Sequence, residues 1–111
     1  MNLSIKTDIR EGVPVVQVDG ELDVYTAPRL KEALDSAASG GGRVVLDLSA
    51  VHFIDSTALG VLVSAQQRLR ADDGELSLVL DDPYLLKIFH ITGFDGLFSI
   101  YSHLAEAVPP S

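Results

Sequence analysis

Apolar and polar positions change period several times along the chain, and each change predicts an element. Leu3, Ile5 and Ile9 alternate with Ser4, Lys6, Thr7 and Asp8, the period of a half-buried strand. Glu11-Gly12 reads as a turn and Val13 to Val18 as a second strand, so this pair predicts an antiparallel hairpin. Pro14 has no N–H to donate, which sets this end of the second strand outside the regular ladder. Gly20 to Tyr25 has no clear period and reads as a loop. Thr26 before Ala27-Pro28 offers a capping hydroxyl and an early proline. Leu30, Ala33, Leu34, Ala37 and Ala38 then fall at helical spacing until Gly40-Gly41-Gly42 stops the helix.

Val44 to Leu48 is a nearly continuous apolar run, as expected of a central strand. Ser49 to Ile54 reads as its outgoing connection, a loop anchored on the core by Val51, Phe53 and Ile54. A second helix is expected from Thr57 to Ala71, with Leu59, Leu62, Gln66 and Leu69 in one stripe flanked by Val63 and Ala65. Asp72-Asp73-Gly74 ends it. Leu76 to Leu80 reads as a strand, and Asp81-Asp82-Pro83 opens a third helix carrying Leu85, Leu86, Ile88 and Phe89, closed by Gly93. Phe98 to Tyr101 gives a short last strand, and Ser102 is positioned to cap a final turn.

The order β-β-α-β-α-β-α-β-α predicts an α/β fold with a small mixed sheet of about five strands. The hairpin's first strand should lie at one edge and the remaining strands should be parallel. Crossovers that step in one direction leave the helices mainly on one face. One domain is expected over residues 1–108, followed by the short tail Pro109-Pro110-Ser111.

Composition narrows the partners. The 111 residues carry 8 Lys+Arg against 16 Asp+Glu, a formal charge of −8. No basic stripe exists to release counterions from DNA or RNA, and an anionic membrane surface is disfavoured for the same reason. The longest uncharged stretch, Ser56 to Gln67, holds twelve residues, short of the roughly twenty that span a bilayer. Asp8 and Arg10 interrupt any signal-peptide pattern at the start, and the chain has no Cys. These features point to a soluble cytoplasmic protein.

Most candidate chemistry falls away. His52, His90 and His103 sit in three different elements with no Cys and no second His at helical spacing, so no metal site is expected. Gly40-Gly41-Gly42 lacks the Lys-Ser/Thr of a phosphate-binding loop, and no Ser sits in a nucleophile elbow. No cofactor is called for. Asp72, Asp73, Glu75, Asp81 and Asp82 form an acidic belt that reads as helix ends and a solvated rim.

Asp55-Ser56-Thr57-Ala58-Leu59-Gly60 is different. It lies where a strand's outgoing loop meets a helix N-terminus, on the carboxyl side of a parallel sheet, the edge that bears function in open α/β folds. Locally, Ser56 is a good N-cap worth about 1 kcal/mol. The loop Gly20-Glu21-Leu22-Asp23 should open on the same edge. A hydroxyl beside Asp23 and Asp55, with no general base in evidence, makes a poor nucleophile and a good switch, because a phosphoryl group there adds about −1.5 to −2 charge.

The pairing of Gly20-Glu21-Leu22-Asp23 with Asp55-Ser56-Thr57-Ala58-Leu59-Gly60 resembles the anti-sigma factor antagonists, whose domain type is called STAS. The resemblance runs over essentially the whole chain, including Phe89, Thr92-Gly93 and Phe94. It implies a partner switch in which Ser56, directly after Asp55, is the phosphoacceptor. The implied partners are an anti-sigma factor with serine kinase activity and a separate phosphatase, with no catalytic role for the antagonist. Unphosphorylated antagonist captures the anti-sigma factor and releases the sigma factor. Asp23, Asp55, Ser56, Thr57 and Gly60 would belong to the contact surface, and a monomer is expected when free. Many members carry Gly where this chain has Ala58, which favours the helix by nearly 1 kcal/mol. The family also contains non-phosphorylated accessory modules of transport or lipid-trafficking complexes, a second reading. A third, small-nucleotide binding at the loop edge, lacks a Gly-rich phosphate cradle.

Overall fold

The computed structural model describes residues 3–108; the expected tail at 109–111 lies outside the described residues. Five strands, β1 (Leu3–Arg10), β2 (Val13–Leu22), β3 (Arg43–Ile54), β4 (Glu75–Val79) and β5 (Ser99–Tyr101), form one sheet in the order β1-β2-β3-β4-β5. β1 and β2 are antiparallel and every other pairing is parallel. The hairpin turns on Glu11 and Gly12, both at positive φ (51° and 76°), the backbone hand that a two-residue hairpin loop requires.

Helices α1 (Ala27–Ala37), α2 (Ser56–Ala71) and α3 (Pro83–Ile91) are the three crossovers, and α4 (Leu104–Ala107) follows β5. Leu30 and Leu34 of α1, Leu59 and Leu62 of α2, and Leu85 and Phe89 of α3 pack on Val16, Leu46, Leu48, Leu76 and Leu78 in one core. Alternate strand residues Val15, Val45 and Val79 face the other way and are covered by Ala107 and Val108. Thus three helices lie on one face and the last short helix on the other. Gln66, fully buried in the stripe of α2, is retained there by hydrogen bonding. Its Nε2 donates to the carbonyls of Leu76 and Leu97 and to Glu75, while its Oε1 accepts from the Leu76 amide. Gly74 is dictated by close approach, because a Cβ there would collide with the Gly42 carbonyl oxygen.

Several local expectations are corrected. The segments Gly20–Leu22 and Ser49–Ile54, expected as loops, are strand, and they pair with each other up to Leu22 opposite Ile54. The register shifts twice, and β3 supplies the extra residue each time. A bulge resets the side-chain phase, so burial along this part of β3 recurs at Leu48, Val51 and Ile54, which alternation cannot detect. Asp47 supports the first shift by accepting from the Ser49 amide and hydroxyl at 3.0 and 2.6 Å. Phe53, expected to anchor the core, is 41% exposed. Pro14 sits within the β1–β2 register opposite Ile9; only on the β3 side does the ladder start after it, at Val15. The last helix begins after His103, whose amide donates to Glu106 at 3.1 Å, so Ser102 is not its cap.

Candidate functional site

The bulged extensions of β2 and β3 build the site. Leu22 and Ile54 are the last paired residues of their strands, and the Asp55 amide then donates to the Leu22 carbonyl at 3.0 Å. Asp23 and Asp55 therefore leave the sheet side by side. Asp55 is extended (φ −102°, ψ 177°) and its Oδ1 accepts from the Ala58 amide at 3.0 Å, making it the N-cap of α2. Ser56, expected as the cap, is instead the first residue of the helix. A carboxylate in β conformation fills the capping role at the helix end as well as a hydroxyl does, and the pairing of Ile54 with Leu22 decides which residue stands there.

Ser56 is thereby released. Its hydroxyl takes no hydrogen bond among the described residues, and both Ser56 and Thr57 are exposed. Asp55 and Asp23 are half-buried. The Asp23 carboxylate folds the next turn, accepting from the Tyr25 and Thr26 amides at 2.9 and 3.0 Å. Thr26, expected to cap α1, is buried, and its hydroxyl instead accepts from the Asp23 amide and donates to the Glu21 carbonyl, each at 2.9 Å. The turn is thus tied to the end of β2, with the Asp23 carboxylate held by backbone amides and the Asp23 amide held by the Thr26 hydroxyl.

Sequence reasoning missed the apolar rim of this edge. Val24 and Tyr25, directly after Asp23, are 53% and 74% exposed, and Phe53 is exposed two residues before Asp55. An aromatic residue in a segment without period was the available signal. Gly60, one turn beyond Ser56, is exposed on the outer face of α2. A groove of about 440 Å3 runs from Ser56 past Leu59, Gly60 and Val63 toward Thr92 and Phe94. At Gly60 a Cβ would meet nothing within 4 Å, so the free chain gives no steric reason for glycine inside this helix.

Of the histidines, His52 pairs with Asp82 (3.2 Å) and His90 with Asp95 (2.9 Å). Asp82 also caps α3 by accepting from the Tyr84 and Leu85 amides. The His52 hydrogen bond, aided by those amides, holds the Asp82 carboxyl below its ordinary range against the opposing effect of burial. No helix among the described residues is long and apolar enough to cross a membrane.

Residues 4–107 match the family model for the STAS domain. The chain belongs to the STAS domain family. This STAS domain is 37% identical over 101 residues to the anti-sigma-B factor antagonist of Staphylococcus aureus, an alignment covering 90% of this chain and 94% of that protein. It is 40% identical over 102 residues to the anti-sigma-B factor antagonist of Listeria monocytogenes, covering 90% of each. Among solved structures, an anti-sigma factor antagonist from Mycobacterium paratuberculosis superposes with a TM-score of 0.87 at 32% identity, over 98% of this chain and 96% of that one. The mixed sheet with its N-terminal hairpin is the fold by which this STAS domain matches that structure.

Proposed function

We propose that this STAS domain is an anti-sigma factor antagonist switched by phosphorylation of Ser56. The observation that carries the reading is the first turn of α2: Asp55 takes the capping role, leaving an exposed serine hydroxyl with no hydrogen bond among the described residues, beside the Asp23 turn. The partner is an anti-sigma factor with serine kinase activity, which the unphosphorylated domain sequesters so that a sigma factor is freed. Names borne by the staphylococcal and listerial relatives support the partner class. The domain acts as substrate of that kinase and of a phosphatase, working in the cytoplasm.

The contact surface comprises Asp23, Asp55, Ser56, Thr57 and Gly60, together with the exposed Val24, Tyr25 and Phe53. Apolar side chains on this rim supply the buried area of the complex. A phosphoryl group on Ser56 is tolerated by the free chain, since a helix N-terminus favours negative charge. In the complex, the same group must be desolvated beside two carboxylates. That difference between free and bound states is what dissociates the pair.

Incubation with the kinase and ATP should add one phosphate by intact mass, retained in Thr57→Ala and lost in Ser56→Ala. Ser56→Asp should weaken calorimetric binding to the unmodified kinase while melting stays near wild type. Phosphate still added to Ser56→Ala, or equal affinity of Ser56→Asp and wild type, sinks this reading.

A further inference from the structure

We infer that the outer edge of β1 is a self-association surface, through which two copies of this chain join their sheets antiparallel about a two-fold axis at Thr7. Among the described residues β1 has β2 on one side only, so one row of its backbone groups faces outward. The two-residue turn makes Arg10 and Val13 the closing hydrogen-bonded pair, and alternation then turns the groups of Leu3, Ile5, Thr7 and Ile9 outward. Two bonds agree with that parity. The Leu3 carbonyl accepts from Arg29 at 3.1 Å, and the Ile9 amide donates to its neighbour Asp8 at 2.9 Å, neither being used by β2.

With Thr7 opposite its own copy, the outward groups of Ile5 meet those of Ile9 from the second chain. In the same register Lys6 stands opposite Asp8, and the two-fold repeats that pair. One shift of register in either direction loses this match, so charge selects the alignment as well as permitting it. Arg29 on the Leu3 carbonyl limits the ladder to Ile5 through Ile9 at each end.

The side chains agree. Ile9 is 62% exposed, an apolar residue for which the single chain has no use. Ile5 packs against the core under α1, and beside it lies a groove of about 320 Å3 between β1 and α1, lined by Ile5, Thr7, Arg29, Glu32, Ala33 and Ser36. Ile5, Thr7 and Ile9 share a face of the strand, so Ile9 of the second copy enters this groove opposite Ile5. The contact is isologous and closes as a dimer. Asp8 exchanges its local bond to the Ile9 amide for Lys6 of the other copy. Ser56 lies beyond β3 and stays free, so the inference is independent of the phosphorylation reading.

Sedimentation equilibrium over a roughly hundredfold concentration range should show the mass rising from 11.9 kDa toward twice that value. Ile9→Lys, which changes an exposed side chain and should leave the circular dichroism spectrum intact, should remain monomeric, as should Thr7→Pro. Lys6→Asp and Asp8→Lys should each weaken the dimer about tenfold, and the double variant Lys6→Asp/Asp8→Lys should restore it. A wild type that stays monomeric throughout overturns the proposal. So does a dimer that Ile9→Lys leaves intact, or a double variant no tighter than its parents.

Discussion

The amide of Asp55 donates to the carbonyl of Leu22 at 3.0 Å, and this bond sets the phase of the whole candidate site. It locks the exit of β3 onto the exit of β2, so Asp55 arrives at α2 in extended conformation with its carboxylate over the Ala58 amide. Ser56 then falls one residue inside the helix, where its side chain points out rather than back onto the helix end.

Capping therefore divides the two neighbours. Asp55→Ala should cost about 1 kcal/mol of unfolding free energy. Ser56→Ala, which removes no hydrogen bond to the described residues, should stay within about 0.5 kcal/mol of wild type. Urea denaturation of both variants measures the difference. A larger loss at Ser56 than at Asp55 would return the cap to the serine.

Gly60→Ala separates folding from binding. A methyl there meets nothing within 4 Å, so the helix should gain up to about 1 kcal/mol from the better helix former. Binding to the anti-sigma factor should weaken if the partner's backbone closes on this groove. Melting temperature up with calorimetric affinity down is the expected pair of results.

Gln66 is worth more than its volume. Gln66→Leu would leave the Leu76 amide without its partner and strip a donor from the Leu76 carbonyl, both beside a fully buried side chain, while the Leu97 carbonyl keeps Arg70 as a donor. The expected loss is about 2–3 kcal/mol, despite the apolar replacement, because the deserted groups stay buried. Denaturant titration reads it directly.

Asp35 joins the first two helices: its carboxylate takes Lys31 of α1 at 2.8 Å and Arg68 of α2 at 2.5 Å. The Lys31 hydrogen bond is the largest influence and, with Arg68, holds the Asp35 carboxyl below its ordinary range although burial pulls the other way. A carboxylate with a lowered folded-state pKa stabilises above its unfolded pKa and loses that contribution as pH falls through the folded value. Asp35→Asn should therefore melt below wild type near neutrality, and the gap should close in acid. Melting curves at a series of pH values test the sign; a gap that widens in acid contradicts it.

Much of the fold was legible in the sequence. Alternation in β1, the apolar run of β3, the Leu59-Leu62-Gln66-Leu69 stripe and the Asp82-Pro83 start of α3 are local signals, each set by which side chains one face must bury. Strand order followed, because short crossovers between parallel strands leave few topologies. The motif around Ser56 also stood out in the sequence.

What only the tertiary structure decided lies at the ends of strands. Residues 20–22 and 49–54 are strands without strand periodicity, since two bulges shift β3 against β2 and only the partner strand makes that pattern favourable. Thr26 and Ser56 were both plausible caps by local chemistry; Ser56 yielded to Asp55, placed by long-range pairing, while Thr26 keeps the N-cap position of α1 but turns its hydroxyl to the end of β2. Phe53 was apolar in the sequence and exposed in the fold for the same reason. Sequence determined which residues seek the core and where helices can start; hydrogen bonds between segments far apart in the chain chose the register, and the register chose which hydroxyl stands free.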